Sequence, residues 1–233
     1  MTLSAPAERA ARDQIVRVMH RVWERGLLAA GDGNASIRID ARRIAITPSG
    51  VLKAQLRPEQ IILVDHRGRP QGGSGRATSE IAMHLAVYQA RPDVHAVLHA
   101  HPPTAIALSI AGISLAECVL PEVIVSLGRI PTARYATPGT LDVPASIEAV
   151  IRDHNAVLLE RHGALTCGRD LDEAYGRLEV VEHSARITHL ARQLGPVPVL
   201  PADEVARIRE AATSAGLIRS PVDCERCGVC RPR

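Results

Sequence analysis

The chain has 233 residues, a length that favours one α/β domain over two full domains. Its net charge is only +3, and its 28 basic residues are spread along the chain, which argues against a nucleic-acid groove. Aromatic residues make up 2% of the chain and phenylalanine is absent, which argues against base-stacking platforms for single-stranded nucleic acid.

Apolar runs and targeting signals set the expected compartment. The sequence has no run of about 18 apolar residues, so we expect no transmembrane helix and no membrane partner. The N-terminal segment is charged throughout and has no apolar signal core. We therefore expect a cytoplasmic protein.

The first half of the chain predicts one helix, a group of strands and a second helix. Apolar residues recur at helical spacing and predict a helix within residues 7–30, with Gly26 ending the run. Turn residues and alternating patterns then predict strands within GDGNASIRID, RRIAITPSG and QIILVDHRGRPQ. Ser79 is the expected N-cap of a helix over residues 80–89.

The second half of the chain predicts two strands followed by two helices. Residues 93–102 and residues 155–167 each have the pattern of a strand. A long helix is predicted over residues 171–194, and a shorter one over residues 203–215. Since helices alternate with strands while some short strands follow one another directly, we expect a mixed sheet covered by helices on both faces.

A cluster of cysteines marks the end of the chain. A metal could bind at the spacing of Cys224, Cys227 and Cys230. A closed structural metal site, however, requires four ligands. A terminus that is merely rich in cysteine is the alternative. We predict a single domain over residues 1–220 and a cysteine-rich tail over residues 221–233.

Two histidines in VHAVLHAHPP have the spacing of metal ligands. Side chains two residues apart in a strand point the same way, so His99 and His101 share a face with Cα atoms roughly 7 Å apart. Two imidazoles at that separation can converge on one ion, and a catalytic zinc takes three protein ligands and keeps an open position. A half-buried histidine pair without a metal is the alternative.

The third ligand has to come from another segment. His162 is the best candidate, because it ends the predicted strand AVLLERHG and Gly163 lets the backbone turn after it. His84 on the predicted helix is also available, so spacing alone leaves the choice open. His95 shares the face of the histidine pair and is interpreted as structural.

Three short segments have the composition of anion-binding turns. Each offers backbone N–H groups and a hydroxyl or amide side chain, and the last also opens a helix, where the dipole favours an anion. The segments are Gly33-Asn34, Ser49-Gly50 and Thr78-Ser79. Ordinary turn chemistry is the alternative for each of them.

Glu80 lies in the first turn of the helix that the third segment opens. A glutamate in that position commonly serves only as a partner of the helix dipole. Beside both an anion site and a metal, its carboxylate would instead be a general acid or base.

Six segments in order, GDGNAS, ITPSG, TSE, HAHPP, YATPGT and ERHGALTCG, resemble the class II aldolase/adducin family. The resemblance runs from about residue 10 to residue 195 and is closest to the fuculose-phosphate aldolases. It implies an α/β fold, a three-layer α/β/α sandwich with a central, largely antiparallel mixed sheet. It also implies a homotetramer with active sites between subunits.

The site residues of the family have matching positions in this sequence. The resemblance implies one zinc ion per subunit, with another divalent metal as the alternative. The metal ligands would be His99, His101 and His162, joined by Glu80, which would also be the catalytic acid/base. The phosphate of a small phosphorylated ketose would bind Gly33, Asn34, Ser49, Gly50, Thr78 and Ser79.

The function that the resemblance implies is a zinc-dependent aldolase. Its substrate would be a ketose 1-phosphate of the L-fuculose 1-phosphate, 5-deoxyribulose 1-phosphate or methylthioribulose 1-phosphate type, cleaved to dihydroxyacetone phosphate and an aldehyde. A zinc-dependent sugar-phosphate epimerase, dehydratase or decarboxylase is an alternative, although the epimerases carry Asp where this chain has Glu80. A non-catalytic adducin-like binding module is another.

Two further features bear on the mechanism. A lysine iminium could also stabilise the charge of an aldol cleavage, but Lys53 is the only lysine and follows TPSG on the wrong side of the expected phosphate loop. The fuculose-phosphate enzymes place a tyrosine of a neighbouring subunit near the aldehyde half of the substrate. The corresponding region here reads CVLPEVIVSLG and contains no tyrosine.

Overall fold

An eight-stranded sheet forms the centre of the computed structural model, which describes residues 5–73 and 75–218. In chain order the helices and strands are α1 (Ala5–Glu24), β1 (Asn34–Arg38), β2 (Ile44–Ile46), β3 (Ile62–Val64), β4 (Pro70–Gly72), α2 (Ile81–Ala90), β5 (Ala96–Ala100), α3 (Pro103–Ile110), α4 (Pro121–Ser126), β6 (Thr132–Ala133), α5 (Asp142–Ile151), β7 (Ala156–Leu159), β8 (Gly163–Gly168), α6 (Leu171–Leu194) and α7 (Ala202–Ser214). The predicted tail over residues 221–233 and its boundary with the domain lie outside the described residues, so both stay predictions.

The sheet is mixed and largely antiparallel, as predicted. The strand order is β4-β3-β2-β1-β5-β8-β7-β6, and every neighbouring pair is antiparallel except β6 and β7, which are parallel. Strand β5 lies between β1 and β8, and all of its residues are buried. The strand in the segment that carries the predicted histidine pair is therefore hydrogen-bonded to a neighbouring strand along both of its edges.

Helices cover both faces of the sheet and confirm the three-layer α/β/α sandwich. Successive side chains of a strand point to opposite faces. Leu98 of β5 accordingly packs in the cluster that contains α1, α3 and α6, whereas Val97 packs in the cluster that contains α2 and α5. His99 is two residues after Val97 in β5, so its side chain points to the same face of the sheet, toward α2. Within the described ranges, every helix is too short or too polar to span a lipid bilayer.

Three predicted boundaries are wrong. Residues 155–167 form two antiparallel strands, because the polar residues 160–162 make a turn between β7 and β8 in which Arg161 has φ 59°. Ser79 is not the N-cap of α2, since Glu80 occupies that position and makes no side-chain capping bond. The first helix spans Ala5–Glu24 rather than residues 7–30, although it ends close to Gly26, the predicted end of the apolar run, which has φ 67°.

Candidate active site

Strand β5 positions the predicted histidine pair. His99 is fully buried, and its strand partners are Asn34 on β1 and Leu165 on β8. His101 follows the strand, and its backbone N–H donates to the carbonyl of Leu27 at 2.8 Å. Both histidines are thus fixed by main-chain hydrogen bonding.

The turn between β7 and β8 brings His162 to the same place. Arg161 is in the left-handed region, and the backbone N–H of His162 donates to the carbonyl of Leu159 at 3.1 Å. His162 therefore lies in a tight turn and not at the end of a strand. Its ring centroid is 4.8 Å from that of His99 and 5.2 Å from that of His101.

The three imidazoles form a cluster that can bind one metal ion. Ligand nitrogens of His99, His101 and His162 all lie within 4.8 Å of one another. The Nε2 atoms of His99 and His101 are 3.1 Å apart. Two nitrogen ligands of a tetrahedral zinc are roughly 3.3 Å apart when each Zn–N distance is about 2.0 Å, so little adjustment is needed.

Two other histidines lie outside this cluster. His95 is exposed and precedes β5. His84 is fully buried within α2 and hydrogen-bonds to Ser36 and Asn34. Of the two candidates that spacing leaves open for the third ligand, His162 lies in the histidine cluster and His84 does not.

Burial favours the neutral form of His99 and His162. It lowers the pKa of His99 well below its ordinary value, and the neighbouring His101 and His162 lower it further. Burial also lowers the pKa of His162. The Nδ1–H of His99 donates to the carbonyl of Ala164 at 3.1 Å, which leaves the lone pair of Nε2 facing the cluster. Neutral imidazoles oriented in this way are the form that binds a metal.

Glu80 adds a carboxylate to the cluster from the start of α2. Its Oε2 is 3.4 Å from Nε2 of His99, and its Oε1 is 3.3 Å from Nε2 of His162. Oε2 also accepts a hydrogen bond from Nδ2 of Asn34 at 2.7 Å. Oε1 is buried and has no hydrogen-bond partner among the described residues. A buried carboxylate oxygen beside imidazole lone pairs needs a cation, so this donor set fits a divalent metal such as zinc.

Glycine at position 163 is required by the close approach of the two histidine segments. A Cβ built on Gly163 would lie 2.4 Å from the carbonyl oxygen of Ala100. The same Cβ would lie 2.9 Å from a ring carbon of His99 and 2.9 Å from a ring carbon of His101. A change of rotamer cannot relieve the contact with a backbone oxygen.

We expect Gly163→Ala to push β5 and β8 apart, and so to lower the free energy of unfolding by about 1–3 kcal/mol, as overpacked substitutions do. Metal affinity should fall with it, because His99 and His101 move. Gly176→Ala is the matched control, since a Cβ on Gly176 in α6 meets nothing within 4 Å. Denaturant unfolding and metal titration measure both effects. A Gly163→Ala protein with wild-type stability and wild-type metal affinity would contradict the packing.

The three predicted anion segments meet in one cavity beside the cluster. The cavity has a volume of about 270 Å³, and its wall includes Glu80, His101 and His162. All six predicted phosphate residues line it as well: Gly33, Asn34, Ser49, Gly50, Thr78 and Ser79. An antiparallel bridge between Pro48 and Ala77 holds the second and third segments together. The fold therefore joins turns that are far apart in the sequence.

Some polar groups of these segments are already engaged. The backbone N–H of Ser49 donates to the carbonyl of Arg76, and that of Thr78 donates to the carbonyl of Thr47. Ser79 precedes the N-cap of α2, so its hydroxyl is not used by the helix. The hydroxyl groups of Ser49, Thr78 and Ser79 are accordingly among the side-chain donors that this cavity offers to an anion.

Lys53 lies in the wall of the same cavity and not on the wrong side of the phosphate loop. Its side chain is buried, and Nζ donates to the carbonyls of Gly31 at 2.7 Å and Val51 at 3.0 Å. Burial lowers its pKa, an effect that the nearby Asp32 opposes. The placement of Lys53 depends on the contact between two loops, which the local sequence does not reveal.

Asp32 is another site residue that sequence reasoning missed. Its Oδ2 lies 3.4 Å from Nδ1 of His101. A carboxylate next to one ring nitrogen of a histidine fixes the orientation of the ring. Pro138 and Gly139 of the YATPGT segment also line the cavity. The order of the motifs was the only signal in the sequence for these three residues.

Comparison with known proteins agrees with this architecture. The sequence profile of the Class II Aldolase and Adducin N-terminal domain matches residues 13–189. An L-fuculose phosphate aldolase of Methanococcus maripaludis is 31% identical over 179 residues, which cover 77% of this chain and 96% of the relative. A 3-oxo-tetronate 4-phosphate decarboxylase of Escherichia coli is 28% identical over 209 residues, which cover 88% of this chain and 98% of the relative.

A solved structure gives the same result at the level of the fold. The crystal structure of L-fuculose-1-phosphate aldolase from Thermus thermophilus superposes with a TM-score of 0.71 and 32% sequence identity. The match covers 83% of this chain and 100% of that one. This chain belongs to the class II aldolase and adducin family.

Proposed function

We propose that this protein is a zinc-dependent aldolase that cleaves a ketose 1-phosphate into dihydroxyacetone phosphate and an aldehyde. The observation that carries the proposal is a single cavity lined by residues of the histidine cluster and by the three turns predicted to bind an anion. A ketose 1-phosphate bears its phosphate on the carbon next to its carbonyl. The metal site and the phosphate site therefore have to be adjacent, and His101 and His162 line the same cavity as the three turns.

Each part of the site would have a separate task. The turns and hydroxyls of Ser49, Thr78 and Ser79 would hold the phosphate. Zinc held by His99, His101 and His162 would supply Lewis-acid stabilisation of the negative charge that develops on the ketose oxygens. The position of Glu80 between the histidines and the cavity suits it for moving a proton at the neighbouring carbon.

Glu80 would deliver that proton from Oε1. Cleavage breaks the C3–C4 bond, the aldehyde leaves with C4, and the electron pair stays on C3 as an enediolate. Protonation of C3 by Glu80 then gives dihydroxyacetone phosphate, and the reverse reaction removes the same proton. The hydroxyl on C4 loses its proton as the aldehyde carbonyl forms, so across the full reaction that proton balances the one given to C3.

A decarboxylase is the second candidate, and one segment of the sequence favours it. Loss of CO₂ from a 3-oxo-tetronate 4-phosphate breaks the C1–C2 bond and leaves the enediolate of the same dihydroxyacetone phosphate. The departing CO₂ carries no hydroxyl group, so no residue is needed to accept a hydroxyl proton. The segment CVLPEVIVSLG, where the aldolase resemblance places the tyrosine of a neighbouring subunit, contains no tyrosine.

A Schiff-base aldolase, an epimerase and a non-catalytic module each fit the site less well. The first would use Lys53, but its Nζ already donates to two backbone carbonyls. The related epimerases carry Asp at the position of Glu80. An adducin-like binding module has no need of a histidine cluster with a carboxylate beside it. A dehydratase would release no dihydroxyacetone phosphate, so an assay for that product distinguishes it.

We also propose a homotetramer. The resemblance implies that active sites lie between subunits, and this is the ground for the proposal. The homotetramer and the cytoplasmic location both stay predictions. Sedimentation of the purified protein measures the first.

A substrate panel tests the proposed function. The protein with zinc would be given L-fuculose 1-phosphate, 5-deoxyribulose 1-phosphate, methylthioribulose 1-phosphate or 3-oxo-tetronate 4-phosphate. We expect at least one ketose 1-phosphate to yield dihydroxyacetone phosphate and an aldehyde in equal amounts, with loss of activity after chelation and recovery on adding zinc. Release of CO₂ in place of an aldehyde would select the decarboxylase. Failure of every substrate to yield dihydroxyacetone phosphate would overturn both.

A further inference from the structure

A buried line of polar side chains runs from the core to Glu80. The line consists of Tyr88, Ser36, His84 and Asn34, all of them buried between β1 and α2. The Ser36 hydroxyl is 2.8 Å from the Tyr88 hydroxyl and 2.7 Å from Nδ1 of His84. Nε2 of His84 is 2.5 Å from Oδ1 of Asn34, whose Nδ2 is 2.7 Å from Oε2 of Glu80.

The donor and acceptor roles along this polar line follow from the chemistry of its groups. A carboxylate can only accept, so the amide nitrogen of Asn34 donates to Glu80 and its oxygen faces His84. That oxygen needs a donor, so the single ring proton of His84 lies on Nε2. Nδ1 then accepts from the hydroxyl of Ser36, which in turn accepts from Tyr88. With a neutral ring on His84 every group in the line has a partner, and the Tyr88 proton goes to Ser36 rather than to the carbonyl of His95, which is 3.4 Å from the Tyr88 hydroxyl.

Burial supports the neutral ring that this arrangement requires. His84 is fully buried, and desolvation lowers its pKa to about 3. One proton on the ring means that a donor on Nε2 fixes an acceptor on Nδ1. The orientation of the Asn34 amide is thereby determined by a residue that does not touch the cavity.

We propose that His84 is a positioning residue for the proton transfer by Glu80. His84 locks the amide of Asn34, the amide holds Oε2 of Glu80, and Oε1 is left to carry the proton. A flipped amide would set its oxygen against the carboxylate and its NH₂ against the Nε2–H of His84. Both contacts would be repulsive, so Glu80 would swing away from the carbon that it serves.

The test compares two substitutions of His84. In His84→Met the volume is kept and both hydrogen bonds are lost, so we expect kcat to fall roughly 10–100-fold, as outer-shell changes commonly do. Bound metal should change little, because all three imidazoles of the cluster are kept, and KM should change less than kcat, because Asn34 is the one member of the six predicted phosphate residues that the line contains. In His84→Gln the amide can donate to Asn34 and accept from Ser36, so most of the lost kcat should return. Equal loss in both variants, or wild-type kcat in His84→Met, would overturn the proposal.

A second measurement uses the wild-type protein alone and does not depend on catalysis. The ¹⁵N shifts of the His84 ring in the wild-type protein report which nitrogen carries the proton. We expect Nε2–H with a bare Nδ1, unchanged from about pH 5 to about pH 8, where an ordinary histidine titrates. Nδ1–H, or a doubly protonated ring, would overturn the proposal.

The inference rests on the proposed function, and the experiments separate the two. A wild-type protein that releases no dihydroxyacetone phosphate from the substrate panel counts against the proposed function. An active wild-type protein whose His84→Met variant keeps its kcat counts against the role of His84 alone.

Discussion

His162→Ala is expected to remove both catalysis and most of the bound metal. The chain supplies the site with three imidazoles that lie within 4.8 Å of one another, and a catalytic metal that loses one of three ligands does not stay in place. The same loss is expected for His99→Ala and His101→Ala. Metal content per subunit, measured after dialysis, should fall from about one ion to near zero, together with substrate cleavage.

His95→Ala is the control for this prediction. His95 is exposed and lies outside the cluster, so its loss should leave metal content and activity unchanged. Full activity in His162→Ala would mean that the third ligand is misassigned. Loss of metal in His95→Ala would mean that His95 is a metal ligand, and it too would contradict the assignment.

Glu80→Gln is expected to lower kcat by roughly 10²–10⁴-fold, the usual contribution of general acid/base catalysis. The amide has the size of the carboxylate, and its oxygen can still accept from Nδ2 of Asn34, so the geometry should persist. What the amide cannot do is carry a proton to the substrate. Steady-state kinetics with matched metal content measures the change.

Glu148→Gln serves as the matched control for Glu80→Gln. Glu148 is exposed on α5 and pairs with Arg152 four residues further along, so its loss should not affect kcat. A Glu80→Gln protein that keeps kcat within tenfold of wild type would show that another group moves the proton. A protein that loses its metal would assign Glu80 a larger share in metal binding than in proton transfer.

Local pattern predicted most of the sheet and the long helices but missed the middle of the chain. The segment of α3, PTAIALSI, is apolar nearly all round, so it shows no amphipathic period. Helix α4 has six residues and β6 has two, too few for any period to be read. Residues 155–167 look continuous because both strands of the hairpin are buried and only their turn is polar.

Spacing predicted the histidine pair, but the rest of the site depends on tertiary structure. His99 and Asn34 become neighbours only because β1 pairs with β5. The turn at Arg161 then aims His162 at the pair. The local sequence did not indicate the positions of Lys53 and His84 in the site. Lys53 reaches the cavity through a contact with the loop at Gly31, and His84 hydrogen-bonds to Asn34, which is 50 residues away in the sequence.

Exchange of a carbon-bound proton tests the central claim most directly. Aldol cleavage and decarboxylation share the enediolate of dihydroxyacetone phosphate, so either enzyme should exchange a proton of that product with solvent. In D₂O, proton NMR of dihydroxyacetone phosphate should show exchange of one hydroxymethyl proton with the zinc-loaded wild-type protein. Glu80→Gln and the chelated wild-type protein should show none. Exchange at the wild-type rate in Glu80→Gln, or after removal of the metal, would contradict a site in which Glu80 moves the proton beside a metal held by His99, His101 and His162.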